Sequence, residues 1–411
     1  MDQLIAGSVM VSVVAAISVS SPVSVVSGFL IISHHGDTED TEYRQKPQNM
    51  TLPNCETRFS QSEKGDYNTS VTSTTKMNEI NLCFLGFGNV GRALARLLVA
   101  KTEELRQLYG IEWRITGVAT RRMGWLVNEN GLEVPRLLAN ENVDALATTG
   151  IADWLKSARP NAVFETTSLN PETGQPAIDH LRASLQAGAH AITANKGPIV
   201  YGHAELSALA ASVGRQFLFE STVLDSAPVF SLFRETLPAV KLRGFSGAFN
   251  STTNVIIETM EAGRSFEEGV KIAQDLGVAE TDPSHDVDGW DSTMKVCAVA
   301  QVLMKKDLRP ADVRRESIRG LTTSVLQKAR AEGKPYKLIS RVRTSEDGSV
   351  EASVKPEQVG AADPFAGVRG TSLAIHFELD MMPGLTIISH RPNLQSTAYG
   401  LLADFISAAR R

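Results

Sequence analysis

The residues with the clearest chemical potential lie between positions 280 and 295, where five carboxylates occupy twelve positions and a lysine follows. Asp291 and Lys295 have the i,i+4 spacing that places two side chains on one face of a helix. Carboxylates in such a group can hold a substrate ammonium, and a lysine flanked by charges can move a proton to or from a substrate oxygen. This pattern favours an amino-acid site. The structural alternative is a solvated acidic loop with an ordinary helical ion pair.

A calcium loop is a weaker interpretation of the same segment. The run DPSHDVDGWDST lacks the regular alternation of ligands and the terminal glutamate of an EF-hand.

A glycine-rich turn follows the apolar run at 80–85 and precedes a helical pattern at 92–108. In this context the first glycine permits a tight turn, the second lets the backbone approach a pyrophosphate, and the third lets helix and strand pack. The helix N-terminus adds N–H groups and the positive end of its dipole. The alternative is a glycine-rich loop that binds no ligand. We expect a dinucleotide to bind at six consecutive residues: Gly86, Phe87, Gly88, Asn89, Val90 and Gly91.

Polar and basic residues follow the next predicted strands, at the sheet edge where ligands of parallel sheets bind. Arg121 follows the strand at 113–119, and its guanidinium suits a 2′-phosphate, which favours NADP over NAD. Thr166 and Ser168 follow the strand at 163–166. Lys196 follows the strand at 189–193 and is a candidate for charge or proton transfer near the nicotinamide. The structural alternative is that Arg121 and Lys196 point to solvent.

Alternating strands and helices joined by short links predict an α/β fold with a Rossmann-type, doubly wound parallel sheet at residues 77–215. From 216 to 396 the pattern changes to that of an α+β domain for catalysis and dimerisation, with antiparallel strands at 334–343 and 349–354. The last helix, within 397–411, is expected to return to the first domain.

The first 76 residues differ in composition from the rest of the chain. Residues 1–33 are apolar and carry one charge, Asp2, while the stretch that follows is polar without a sustained period. We interpret 1–76 as a disordered or spurious extension, with a membrane anchor at 1–33 as the alternative.

The overall composition excludes several classes of protein. A net charge of −5 without a polybasic block argues against nucleic-acid binding. Three distant cysteines argue against a disulfide framework and are consistent with a cytoplasmic enzyme.

From residue 77 onward the chain resembles homoserine dehydrogenase, without that family's ACT or aspartate kinase domains. The resemblance rests on five ordered blocks: GFGNVGRAL, ETTSLNPETGQPAIDHLRASLQAGAHAITANKGP, GAFNSTTNVIIETM, ETDPSHDVDGWDSTMK and STAYGLLADF. It implies NAD(P)-dependent interconversion of L-homoserine and L-aspartate 4-semialdehyde, in the branch that leads to threonine and methionine. It also implies a small-molecule substrate and a homodimer.

The resemblance also implies roles for individual residues. The glycine turn and Thr166 would contact the cofactor, and Lys196 would lie beside the nicotinamide and the substrate. Lys295 would exchange a proton with the substrate oxygen. Glu280, Asp286 and Asp291 would bind the homoserine ammonium and neighbouring polar groups. A monovalent cation, such as sodium, would be held by four backbone carbonyls: those of Glu220, Val223, Asp225 and Ala227.

Two segments depart from the family pattern. Residues 223–228 read Val-Leu-Asp-Ser-Ala-Pro where the family has a glycine-rich turn, and 389–396 replace a glycine-rich loop. Two other hypotheses therefore stay open: a paralogue that acts on another amino-acid aldehyde, and a non-catalytic dinucleotide-binding regulator.

Overall fold

The computed structural model describes residues 78–345 and 347–410. The predicted extension at 1–76 lies outside the described residues. None of the helices described is both long enough and apolar enough to cross a bilayer.

The first half of the described chain forms a seven-stranded sheet. Its strands are β1 (Asn78–Leu85), β2 (Ile111–Thr120), β3 (Gly124–Val127), β4 (Leu146–Thr148), β5 (Ala162–Glu165), β6 (His190–Thr193) and β7 (Phe217–Leu218). In space the order is β4-β3-β2-β1-β5-β6-β7. Four neighbouring pairs are parallel: β2–β1, β1–β5, β5–β6 and β6–β7. β3 pairs antiparallel with both β2 and β4. The sheet is thus of the expected Rossmann type, with an antiparallel extension at one edge.

Six helices accompany this sheet: α1 (Asn89–Ala100), α2 (Thr102–Tyr109), α3 (Val134–Ala139), α4 (Ile151–Ala158), α5 (Ala177–Gln186) and α6 (Lys196–Ser212). The single helix predicted at 92–108 is two helices, because the backbone at Lys101 leaves the helical region. Lys196, predicted to follow the strand at 189–193, is the first residue of α6.

The second half builds a six-stranded sheet in the order β13-β12-β8-β10-β11-β9. Its strands are β8 (Leu242–Ala248), β9 (Arg314–Arg315), β10 (Tyr336–Thr344), β11 (Val350–Gln358), β12 (Leu373–Leu379) and β13 (Leu385–Ser389). Its helices are α7 (Ser251–Glu261), α8 (Phe266–Asp275), α9 (Ser284–Val287), α10 (Trp290–Val299), α11 (Thr323–Ala331) and α12 (Leu394–Ala409). β10 and β11 form the antiparallel pair that the sequence predicts.

Two main hydrophobic cores hold these layers together. In the first, Phe84 and Phe164 pack with Leu94 of α1, and the C-terminal helix α12 adds Leu401 and Phe405. The second core lies between the six-stranded sheet and its helices and extends to α5, α6, β6 and β7. Because β1 is covered on both faces, its sequence is a nearly continuous apolar run. The helix α12 therefore packs against the sheet to which β1 belongs.

Candidate functional site

The glycine turn between β1 and α1 brings two backbones into close approach. Gly86 has φ = 90°, and a Cβ there would lie 2.7 Å from the backbone carbonyl carbon and oxygen of Thr166. The Thr166 hydroxyl donates a hydrogen bond of 2.9 Å to the Gly86 carbonyl. Gly88, in contrast, has open space where its Cβ would be. Only glycine fits at position 86, and the space at Gly88 is free for a ligand.

The N-terminus of α1 is suited to an anion. Its N-cap is Gly88, which provides no side-chain cap, so no side chain of the cap residue occupies the first N–H groups. Asn89 is exposed, Val90 is half-buried and Gly91 is buried. Phe87 is buried, and the Arg92 guanidinium lies 5.1 Å from the centre of its ring. These features fit the pyrophosphate of a dinucleotide.

A cavity of about 680 Å³ opens beside this turn. The residues that line it include Gly86, Gly88, Arg121, Thr166 and Ser168. With Phe87, which also lines it, the structure therefore brings six of the predicted cofactor residues together around one space. Arg121 is exposed, and no hydrogen bond or ion pair engages its guanidinium in the described part of the chain.

A second group, which we term the lysine–aspartate cluster, consists of Lys196, Asp291 and Lys295. The Lys295 Nζ lies 3.0 Å from Asp291 Oδ2, and the Lys196 Nζ lies 3.4 Å from Asp291 Oδ1. Lys295 also donates a hydrogen bond of 2.6 Å to the Phe249 carbonyl. The lysine side chains are only 12% and 19% exposed, so both predicted lysines point into the protein rather than into solvent.

Asp291 remains ionised within the cluster. Burial by itself favours the protonated carboxyl, but the ammonium groups of Lys295 and Lys196 outweigh it and hold the pKa of Asp291 well below its usual range. Asn250 donates to both Asp291 (3.1 Å) and Asp286 (2.6 Å). Burial and the neighbouring Asp291 carboxylate raise the pKa of Asp286. The Asn250 amide therefore donates hydrogen bonds to two carboxylates whose pKa values are shifted in opposite directions.

Helix termini position these side chains. The Asn195 side chain accepts from the Gly197 N–H at 3.0 Å and caps α6, so that Lys196 is its first residue. The Asn250 side chain likewise accepts from the Thr253 N–H at 2.8 Å and caps α7. α10 begins directly after Gly289, which places Asp291 in its first turn and Lys295 one turn later.

A buried carboxyl, Glu165, connects the cavity wall to the cluster. It lies at the end of β5 and accepts from the Thr167 N–H at 2.9 Å and from the Thr193 hydroxyl at 2.7 Å. Thr167 lines the cavity, and the Thr193 hydroxyl oxygen accepts from the N–H of Asn195, the residue that caps α6, at 2.9 Å. Desolvation dominates and raises the pKa of Glu165, although its hydrogen bonds act in the opposite direction.

Sequence reasoning missed the roles of Glu165 and Asn250. The capping role of Asn250 could have been predicted, because this residue precedes an apolar helix and asparagine is a preferred N-cap. Glu165 stands at the end of an apolar strand beside two threonines, which is a weaker signal.

The turn predicted to hold a cation is crowded. The Glu220 carboxylate accepts from the N–H groups of Val229, Phe230 and Ser231. The Asp225 carbonyl faces Gly400 of α12, where a Cβ would come within 2.7 Å of it. Val223 is buried and Ala227 is half-buried. One of the four carbonyl donors is thus already packed against a helix, and the sodium site stays a prediction.

Glu280 is exposed in the segment after α8. Its backbone carbonyl accepts from the Gln274 side chain at 3.1 Å. Within the described ranges, no hydrogen bond or ion pair joins its carboxylate to the lysine–aspartate cluster.

Family models match both halves of the chain. The model described as "Homoserine dehydrogenase, NAD binding domain" matches residues 86–220, and the one described as "Homoserine dehydrogenase" matches residues 228–406.

Individual relatives are similar over most of their length. An NAD(+)-dependent homoserine dehydrogenase from Pseudomonas canavaninivorans is 34% identical, over 80% of this chain and 96% of the relative. A homoserine dehydrogenase from Methanocaldococcus jannaschii is 30% identical, over 80% and 98%. The crystal structure of a homoserine dehydrogenase from Thiobacillus denitrificans superposes with a TM-score of 0.69 at 26% identity, over 81% of this chain and 74% of that one.

Proposed function

This chain belongs to the homoserine dehydrogenase family, and we propose that it interconverts L-homoserine and L-aspartate 4-semialdehyde with NAD(P) by proton transfer through Lys295. The observation that carries the proposal is the lysine–aspartate cluster, in which two half-buried ammonium groups share one ionised carboxylate. The comparisons do not favour the two other hypotheses, the paralogue with another substrate and the non-catalytic regulator.

The cofactor binds at the glycine turn. The open space at Gly88, the uncapped start of α1 and the cavity lined by Thr166, Ser168 and Arg121 fit a dinucleotide. When bound, the nicotinamide supplies or accepts the hydride.

Lys295 and Lys196 act on the substrate oxygen. In the reducing direction, negative charge develops on the aldehyde oxygen, and Lys295 protonates it to give the alcohol; in the oxidising direction, the same nitrogen accepts the proton. Lys196 stabilises the developing charge. Asp291 holds both ammonium groups in place through its two oxygens.

Carboxylates bind the substrate's ammonium group in this proposal. Glu280 and Asp291 contact the ammonium and its polar neighbours, and Asp286 shares the Asn250 amide with Asp291. In the free protein, the Asp291 carboxylate already interacts with Lys196, Lys295 and the Asn250 amide, so in this proposal it also positions the two lysines.

We also propose the domain division at residues 215 and 216, with the last helix belonging to the first domain. β7, just beyond this boundary, pairs with β6 and still completes the first sheet. We further propose a cytoplasmic homodimer. The packing of α12 against α1 supports the division. Light scattering tests the dimer: a mass near that of the 44.4 kDa monomer would contradict it.

The experiment that tests the function follows NAD(P)H at its absorption band during homoserine oxidation. We expect Lys295→Ala to lower kcat by about 10²- to 10⁴-fold, the typical contribution of a general acid or base, with little change in cofactor affinity. Lys271→Ala is the matched control, because Lys271 belongs to an exposed i,i+4 pair with Asp275. Normal turnover in Lys295→Ala would refute the role of this lysine.

A further inference from the structure

A left-handed glycine separates the two carboxylates that share the Asn250 amide. Gly289 has φ = 77° and lies between α9, which contains Asp286, and α10, which contains Asp291. Glycine adopts this conformation without the steric cost that a Cβ would add, but its backbone is also the least restricted of any residue. The direction in which α10 continues therefore depends on contacts made by the residues around this glycine. We term residues 287–290 the α9–α10 junction.

A segment that begins in β9 packs against this junction. The Ser317 hydroxyl donates to the Val287 carbonyl at 2.9 Å, and the Arg319 guanidinium forms an ion pair of 2.8 Å with Asp288. β9 itself pairs with β11 in the six-stranded sheet. The segment is therefore anchored to the sheet while it holds the residues just before Asp291.

Arg315 of β9 crosses the junction and stacks on the first residue of α10. Its guanidinium carbon lies 3.4 Å from the centre of the Trp290 ring. A Cβ at Gly289 would lie 3.1 Å from Arg315 Cγ, so the stem of the arginine passes directly over the glycine. Within residues 78–345 and 347–410, no ion pair or hydrogen bond engages this guanidinium, so the indole is its main partner. A cation over an indole face is a favourable contact.

This stack restrains the residue that directly precedes Asp291. The Asp291 carboxylate lies 3.0 Å from the Lys295 Nζ and 3.4 Å from the Lys196 Nζ. A small rotation of the first turn of α10 would lengthen both contacts, and the attraction between opposite charges falls with distance. Displacements of about 1 Å can lower a catalysed rate about 100-fold. The position of Trp290 therefore affects how well the cluster is assembled.

We propose that Arg315, by stacking on Trp290, is a positioning residue that holds Asp291 against Lys295 and Lys196 for proton transfer. The proposal rests on the proposed function, which assigns proton transfer to this cluster. Arg315 acts through the start of α10 rather than by contact with the substrate.

Two substitutions remove the stack from opposite sides. Arg315→Ala removes the cation, and Trp290→Leu removes the ring but keeps the cation. We expect each to lower kcat for homoserine oxidation about tenfold, because Asp291 is placed less precisely, and to change the cofactor KM less than about twofold. Trp290→Phe keeps an aromatic face and should retain most of the activity. Arg314→Ala is the matched control, because Arg314 is the exposed neighbour on β9.

The pH dependence of the oxidation distinguishes positioning from a general disturbance. Lys295 must be neutral to accept the substrate proton, whereas the Asp291 carboxylate favours its charged form and the Lys196 ammonium opposes it. If Asp291 is held less firmly, the oxidation rate should rise at lower pH than in the unmodified protein. Loss of the Arg315 charge alone acts in the opposite direction, because removal of a nearby cation favours the charged lysine. Trp290→Leu keeps that charge, and we expect a shift to lower pH in both variants.

Urea unfolding of each variant checks that it is folded. Trp290 is 37% exposed and Arg315 is half-buried, so neither substitution leaves a cavity in the core. Arg315→Gln, which keeps most of the stem over Gly289, serves the same test if Arg315→Ala does not fold.

The outcomes separate this proposal from the proposed function. If the unmodified protein does not oxidise homoserine, the proposed function fails and this inference falls with it. If it does, a normal kcat in both variants overturns the role of Arg315 alone. A lower kcat with an unshifted pH profile, or a shift to higher pH in Arg315→Ala with none in Trp290→Leu, also overturns it. A shift to lower pH in both, with Arg314→Ala unchanged, supports it.

Discussion

At the scale of single residues, the sharing of Asp291 by two lysines determines what each side chain can do. Its carboxylate neutralises Lys295 and Lys196 at once, so its charge is needed to keep two like charges close together. Lys295 is further restrained by the Phe249 carbonyl, which directs its Nζ. Among the described residues, Lys196 forms an ion pair with Asp291 and no side-chain hydrogen bond. This difference agrees with proton transfer by Lys295 and charge stabilisation by Lys196.

Cofactor preference is also decided at this scale. Arg121 lines the cavity, and none of the described residues pairs with its guanidinium, which can therefore bind a 2′-phosphate. We expect Arg121→Ala to lower kcat/KM with NADP about tenfold and to leave kcat/KM with NAD nearly unchanged, because only NADP carries that phosphate. Steady-state assays with both cofactors measure the ratio.

The control for this prediction is Arg136→Ala, since Arg136 is paired with Glu133 and Glu141 away from the cavity. An unchanged ratio of the two cofactors in Arg121→Ala would reject the assignment. The 34% identical relative is named as NAD(+)-dependent, so the measurement also decides whether this chain differs from it.

At the scale of elements, the β1–turn–α1 unit contains two glycines with different physical roles. Gly86 is needed by the fold, because a Cβ would meet the Thr166 backbone and φ is positive. Gly88 has no neighbour within 4 Å of its Cβ position, so the fold accepts a larger residue there. The space beyond Gly88 is where the pyrophosphate is expected.

We therefore expect Gly86→Ala and Gly88→Ala to fail in different ways. Gly86→Ala should lower the free energy of unfolding by at least about 1 kcal/mol, from backbone strain and the clash with Thr166. Gly88→Ala should unfold normally but bind NAD(P) about tenfold or more weakly. Urea unfolding and cofactor titration separate the two effects. Equal stability of both variants would contradict this assignment.

At the scale of the whole molecule, buried carboxyls join elements that are distant in sequence. Glu165 links the ends of β5 and β6, next to the cavity and to the cap of α6. Asp404 of α12 accepts from the Glu220 N–H at 2.8 Å and so ties the C-terminal helix to the turn after β7. These connections make the stability of the fold dependent on pH.

The direction of that dependence follows from Glu165. Burial raises its pKa above the usual 4.5, so the folded protein retains a proton that the unfolded chain loses. This contribution is fully present below about pH 4.5 and decreases as the pH rises through the folded value. Glu165→Gln keeps the shape of the side chain but removes its titratable proton. The free energy of unfolding of this variant, minus that of the unmodified protein, should therefore increase from about pH 5 to about pH 8.

Urea unfolding at the two pH values measures this difference. Glu129→Gln, at an exposed glutamate, is the control. A difference between Glu165→Gln and the unmodified protein that does not vary with pH would contradict the account.

The sequence by itself determined the local elements and the family. The apolar run before Gly86 and the helical spacing of Asp291 and Lys295 are local patterns, and the structure contains both of them. They are readable because a strand, a helical face or a cap depends on residues only a few positions apart. The ordered blocks were sufficient to identify the family.

Only the tertiary structure decided which side chains meet. The contact of Lys196 with Asp291, the bridge from Asn250 to two carboxylates and the bond from Thr397 to Asp225 join segments that are far apart in the chain. In the same way, the segment predicted as one helix at 92–108 forms two helices, and β3 pairs antiparallel with β2. The physical reason is that such contacts depend on how whole elements pack against one another, and no local pattern of residue types records that packing.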